Sequence, residues 1–242
     1  MLGLLCFDLD GTLADTESLK AASYAWAARR LRPDGDLDGL EADYLASCVG
    51  LSRETISRHL LGRYGLEGPA RAHDGTVEPW QSFVGLRLER YRAMLADGAL
   101  VRRHAIGPAV ALARRARGLA RRVALVTTTD RRNADGVLAA LGLADAFDAL
   151  VTADDVAAVK PDPESYRLAL SRMGVGAADA LAIEDSPAGI RGALAAGVAV
   201  LAVPSAHTRG GVRGLVAAGA LAADRVIAPE ELDGAVRAYA AG

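Results

Sequence analysis

Leu4-Leu5-Cys6-Phe7-Asp8-Leu9-Asp10-Gly11-Thr12-Leu13 reads as a short aliphatic strand that ends in two carboxylates one residue apart and then turns at a glycine. Side chains alternate along a strand, so Asp8 and Asp10 leave it on the same side. Two like charges at that spacing repel unless a cation lies between them or one is protonated. The stretch therefore predicts a metal, a proton donor or both at the carboxyl end of a buried strand.

Outward from residues 4–7, further apolar runs end in polar residues at 122–126, 149–152, 180–183 and 199–203, with a weak one at 225–227. Runs that are apolar on both faces are central strands of a parallel sheet. Between them Tyr166, Ala169, Leu170 and Met173 recur at helical spacing, as do Val137, Leu138 and Leu141. This alternation predicts an α/β fold with a doubly wound, Rossmann-like parallel sheet. Residues 15–96 break the rhythm: helical patterns run over 18–30, 52–64 and 77–95, and residues 62–79, rich in glycine and proline, read as a loose segment. The expected division is a core of residues 1–14 plus 97–242 and an inserted helical domain of residues 15–96.

The composition of the 242 residues, 51% apolar and 24% charged, is that of a globular chain long enough for one well-buried core and a smaller second domain. A net charge of −2 offers no basic surface for nucleic acid. Asp8 cuts the first apolar run too short for a membrane span or a signal peptide, so a cytoplasmic protein is expected. Cys6 and Cys48 lie far apart and read as reduced core thiols. A monomer is expected.

Four polar clusters follow predicted strands, and the carboxyl ends of strands in an open parallel sheet share one crevice. They are Asp8 with Asp10, Thr127-Thr128-Thr129, Lys160-Pro161-Asp162-Pro163 and Glu184-Asp185-Ser186-Pro187. Taken singly each has a structural reading: Ser186-Pro187 is a helix cap followed by proline at the first turn, and threonines after a strand are turn formers. Taken together they gather Asp8, Asp10, Glu184 and Asp185 around one ammonium, Lys160. So negative a pocket suits a hard divalent cation with oxygen ligands, Mg²⁺ above all, with a phosphate ester completing the coordination.

The four clusters, in this order, resemble the motifs of the haloacid dehalogenase superfamily, and the insert is similar in position to the helical cap of its first cap class. The resemblance spans essentially the whole chain. It implies that Asp8 is the nucleophile that forms an aspartyl-phosphate and that Asp10 protonates the leaving alkoxide and then activates water. It also implies that Thr127 holds the phosphoryl group, with Thr128 a candidate substrate-binding residue beside it, that Lys160 neutralises the phosphoryl charge and orients Asp8, and that Asp185, with Glu184, Asp8 and the Asp10 carbonyl, holds Mg²⁺. Members that dehalogenate lack the second aspartate and the metal, which argues against that reaction here.

The insert bears on the substrate. Gly50-Leu51-Ser52-Arg53-Glu54 is similar to a substrate-binding turn of β-phosphoglucomutases, in which Arg53 reaches a phosphate bidentately, or it is a capped helix start with a solvated arginine. Thr12 and Lys20 depart from the mutases, which have an aliphatic residue and a histidine there. Thr16-Glu17 and the threonine triplet look like sugar bisphosphate phosphatases, where a histidine is also usual at the place of Lys20. Lys20 reads either as exposed or as meeting an anionic substrate. The resulting expectation is a Mg²⁺-dependent phosphatase acting on a small phosphorylated metabolite, with Glu17, Lys20, Ser52 and Arg53 as specificity residues. The alternatives are a β-phosphoglucomutase-like enzyme and a phosphoglycolate phosphatase. A scaffold kept only for binding would have lost catalytic groups, and none is missing. The insert is expected to open and close about hinges near residues 14–16 and 95–100.

Overall fold

The apolar start of the chain forms β1 (Leu2–Phe7), buried along its whole length. Leu4 and Cys6 enter one hydrophobic cluster, while Leu5 and Phe7 point to the opposite face, so the strand is apolar on both sides as a central parallel strand must be. The computed structural model describes residues 1–241. They divide into two compact units, Met1–Asp15 with Gly98–Gly242 and Thr16–Asp97.

The second unit is all-helical: α1 (Thr16–Leu31), α2 (Leu40–Ser47), α3 (Arg53–Arg63), α4 (Glu67–His73) and α5 (Pro79–Ala96). Its core gathers Tyr24, Leu40, Tyr44, Leu60, Leu61, Leu66 and Phe83. Arg87 is buried here, its guanidinium 5.0 Å from the Tyr24 ring and 4.6 Å from the Tyr91 ring. Two elements depart from the sequence reading. α2 has no counterpart among the helical patterns of the sequence, and α4 forms within the stretch that reads as loose. Gly68 and Pro69 fall in the first turn of α4, where backbone N–H groups have no partner inside the helix, so a proline does no harm.

In the first unit α6 (Gly98–Arg103) and α7 (Gly107–Arg115) lead to β2 (Ala120–Val126). There follow α8 (Arg131–Leu141), β3 (Ala149–Val151), α9 (Glu164–Met173), β4 (Ala180–Glu184), α10 (Pro187–Ala195), β5 (Ala199–Ala202), α11 (Arg209–Ala217) and α12 (Leu232–Ala241). The five strands are parallel in the order β3-β2-β1-β4-β5. The expected strand at 225–227 is a single bridge, Val226 to Ala202, because a 3₁₀ turn over Ala223–Arg225 precedes it and Pro229 follows. Among the described residues no helix is long and apolar enough to cross a membrane.

Register places the chemistry. Phe7 lies opposite Leu125 on one side and Ile183 on the other, so Asp8, Thr127 and Glu184 all emerge at the carboxyl edge of the sheet. Strand order reverses about β1, and such a reversal opens a crevice at that edge.

Candidate active site

Asp8 leaves β1 with its amide donating to Ile183 O at 3.0 Å, which holds its backbone to β4. The chain then turns at Gly11, whose φ of 80° is one that glycine adopts without strain. A β-carbon at Gly11 would lie 2.3 Å from Asp185 Oδ2, so the bare backbone is also what lets the Asp185 carboxylate approach. After β4, Ser186 caps α10, its Oγ accepting from Gly189 N at 3.1 Å, and Pro187 occupies the first turn. Lys160 comes from the loop before α9. Glu164 holds that loop in shape by accepting from the amides of Ala157 and Ala158 at 3.0 and 2.8 Å.

Lys160 sits at the centre of the site with its side chain 3% exposed. Its Nζ donates to Asp8 Oδ1 at 2.6 Å, Glu184 Oε1 at 2.6 Å and Val126 O at 2.7 Å, so the three ammonium protons meet three acceptors. Burial disfavours the ammonium, but Asp8 and Glu184 outweigh it and raise the Lys160 pKa. Burial pushes the Asp8 carboxyl up to about 7, with Lys160 opposing the rise and Glu184 and Asp10 adding to it. Burial also pushes the neighbouring Cys6 thiol up to about 12, which removes it as a nucleophile.

Asp8, Glu184 and Asp185 are all buried, and one oxygen from each lies within 4.8 Å of the others. Three carboxylates against one ammonium leave excess negative charge in a place shielded from water. The donors are all oxygen, so the set fits a hard divalent cation better than zinc or copper. The Asp10 carboxylate lies outside this trio. Its Oδ2 accepts from Thr129 Oγ1, while Thr129 N donates to Thr127 Oγ1 at 3.1 Å. Thr127 is buried and its own amide is tied to Val151 O at 2.9 Å, whereas Thr128 is exposed.

The sheet edge therefore gathers Asp8, Thr127, Lys160, Glu184 and Asp185, and Thr129 links Asp10 to Thr127. Two further members carry no role of their own in the sequence reading: Thr129, which stands there only as part of the threonine triplet, and Tyr166. The Tyr166 hydroxyl donates to Glu184 Oε1 at 2.7 Å from within the core. By helical spacing alone Tyr166 reads as one of the apolar positions of a helix, with Ala169, Leu170 and Met173. The one available signal was that a phenol so placed needs a buried acceptor.

The four candidate specificity residues lie in the helical unit. Lys20 is part-buried and pairs with Glu17 Oε1 at 2.7 Å, and Tyr44 Oη donates to Glu17 Oε2 at 2.9 Å. This corrects the reading of Lys20 as an exposed lysine: a carboxylate one turn back draws it in. Ser52 caps α3, accepting from Thr55 N at 3.1 Å, and Arg53 is the exposed first residue of that helix.

The sequence profile of the family described as haloacid dehalogenase-like hydrolase matches residues 2–197. Protein CbbY of Rhodobacter capsulatus is 35% identical over 218 residues, 86% of this chain and 88% of that protein. The phosphoglycolate phosphatase of Rhodospirillum rubrum is 34% identical over 216 residues, 89% of this chain and 84% of that protein. Among solved structures, a variant of CbbY from Rhodobacter sphaeroides in complex with xylulose-(1,5)bisphosphate is 28% identical. It superimposes with a TM-score of 0.59 over 87% of this chain and 89% of that one.

Proposed function

Because the chain belongs to the haloacid dehalogenase-like hydrolases, we propose that it is a Mg²⁺-dependent phosphatase of a small phosphate monoester, a phosphorylated sugar above all. The observation that carries this reading is the trio Asp8, Glu184 and Asp185 arranged beside an ammonium that is itself anchored to Asp8 and Glu184. A lone buried ion pair has no need of a third carboxylate. A centre that receives a cation and a phosphate dianion does.

In the first step an Asp8 oxygen forms a bond to phosphorus while the bond from phosphorus to the ester oxygen breaks. Lys160 holds Oδ1, which leaves Oδ2 the freer oxygen for attack. Asp10, protonated, gives its proton to the departing alkoxide. In the second step water attacks the aspartyl-phosphate, Asp10 takes the proton released, and the bond from Asp8 to phosphorus breaks to free inorganic phosphate. Thr129 keeps the Asp10 carboxylate aimed through both steps. Thr127 is the hydroxyl offered to the phosphoryl oxygens. Asp8, Glu184, Asp185 and the Asp10 carbonyl would hold Mg²⁺, which supplies electrophilic stabilisation of the phosphoryl charge when bound.

A phosphorylated sugar is favoured because one of the relatives, CbbY, is also seen as a variant in complex with xylulose-(1,5)bisphosphate. The test is phosphate release from sugar mono- and bisphosphates and phosphoglycolate, with Mg²⁺ and with EDTA. Mg²⁺-dependent release concentrated on a sugar phosphate is the expected result. Release concentrated on phosphoglycolate would move the substrate to a phosphorylated acid. Conversion of β-glucose 1-phosphate to glucose 6-phosphate without release would overturn the hydrolase in favour of a mutase.

A further inference from the structure

Tyr166 is fully buried on α9, among Leu4, Val126, Val151 and Ala169. Phenylalanine would fill that place equally well, so the hydroxyl asks for a separate reason. It donates to Glu184 Oε1 at 2.7 Å, the oxygen that already accepts from Lys160 at 2.6 Å. The Lys160 ammonium lies 5.2 Å from the centre of the Tyr166 ring, so the ring also faces the cation that shares its acceptor. With two strong donors on Oε1, the other oxygen, Oε2, has among the described residues only Ser186 Oγ as a donor, at 3.4 Å.

We propose that Tyr166 is a positioning residue of the catalytic centre: its hydroxyl fixes Glu184 so that Oε2 is the oxygen presented to the divalent cation. The proposal rests on the reading of Asp8, Glu184 and Asp185 as a cation site. Lys160 alone cannot do this, because its other two protons are committed to Asp8 and Val126 and its flexible stem lets it follow a moving carboxylate. Tyr166 donates from a ring locked in the core, so it sets a direction that Lys160 then shares. It also leaves Glu184 with a partner if Lys160 shifts toward an arriving phosphoryl group.

The experiment is calorimetric titration of Mg²⁺ into wild type and Tyr166→Phe, alongside kinetics on the best ester. Loss of an outer hydrogen bond to a metal ligand weakens metal affinity by roughly 10- to 100-fold. The expected result is a loss of that size in Tyr166→Phe, KM for the ester unchanged, and kcat restored by excess Mg²⁺. A residue that only supports the fold would lower kcat without such rescue. Equal Mg²⁺ affinity in the two proteins overturns the role of Tyr166 while leaving the cation site standing. Failure of the wild type to bind Mg²⁺ overturns both. If Tyr166→Phe does not fold, the wild type still reports. With 3-fluorotyrosine placed at position 166 of the otherwise wild-type protein, its ¹⁹F resonance should shift on Mg²⁺ saturation as the cation draws on the carboxylate that Tyr166 donates to, and no shift overturns the assignment.

Discussion

Gly189 has no side chain because the Glu184 carboxylate occupies the place where one would start: a β-carbon there would stand 2.0 Å from Cδ, Oε1 and Oε2. The first turn of α10 is thus the wall against which Glu184 is pressed. Gly189→Ala should displace that carboxylate from Lys160 and Tyr166. Overpacking of this kind costs about 1–3 kcal/mol. Mg²⁺ affinity should fall by at least about 10-fold, as expected for a disturbed metal ligand. Thermal melts and Mg²⁺ titration of the variant check both, and wild-type Mg²⁺ affinity in Gly189→Ala would refute the coupling.

Lys160 offsets two buried carboxylates, Asp8 and Glu184. Lys160→Met removes the cation and leaves them facing each other. Breaking a buried ion pair from one side costs about 3–5 kcal/mol. A divalent ion bound among the same carboxylates would replace part of the missing charge. Mg²⁺ should therefore raise the melting temperature of Lys160→Met by more than it raises that of wild type. Equal shifts in the two proteins would contradict this.

Thr129 donates to Asp10 Oδ2 and is itself oriented through Thr127. Thr129→Val keeps the shape and removes the donor. The expected outcome is kcat lower by roughly 10-fold, about 1.4 kcal/mol of barrier, with KM little changed. Thr129→Ser should retain most of the activity. Steady-state kinetics of the three proteins decide whether the hydroxyl or merely the methyl matters.

Asp155 ties down the loop after β3. Its carboxylate accepts from Thr152 N at 2.9 Å, Thr152 Oγ1 at 2.7 Å and Arg172 at 2.7 Å. Burial pushes the group up, but Arg172 and both donors of Thr152 outweigh it and hold its pKa well below the usual carboxylate range. A folded pKa below the unfolded one stabilises above the unfolded value, near 3.9, and that contribution is lost as pH falls through the folded value. Asp155→Asn should cost about 1.5–3 kcal/mol near neutral pH, the range for hydrogen bonds to a charged group. The gap to wild type should shrink in strong acid. Urea unfolding of both proteins across the acid range measures it.

The strands and the roster of acids at their ends were legible because both depend on neighbours in the chain. Residues 4–7 are apolar enough to be buried on both faces whatever surrounds them, and Asp8 ends that run by its charge. α4 escaped because Gly68 and Pro69 weigh against a helix in its interior but not in its first turn, and only the finished structure shows where that turn begins. Residues 225–227 have the composition of a strand, yet whether an apolar triplet pairs depends on the edge it meets, and here only Val226 reaches β5.

What the sequence by itself determined, then, is the parallel sheet and the set of side chains delivered to its carboxyl edge, since alternation and apolar runs are local properties. Tertiary structure alone decided how those side chains share their protons. Tyr166 is 18 residues from Glu184, Thr129 is 119 from Asp10 and Lys160 is 152 from Asp8. Hydrogen bonds form over about 3 Å, so which donor meets which acceptor is set by the packing of whole strands and helices against one another.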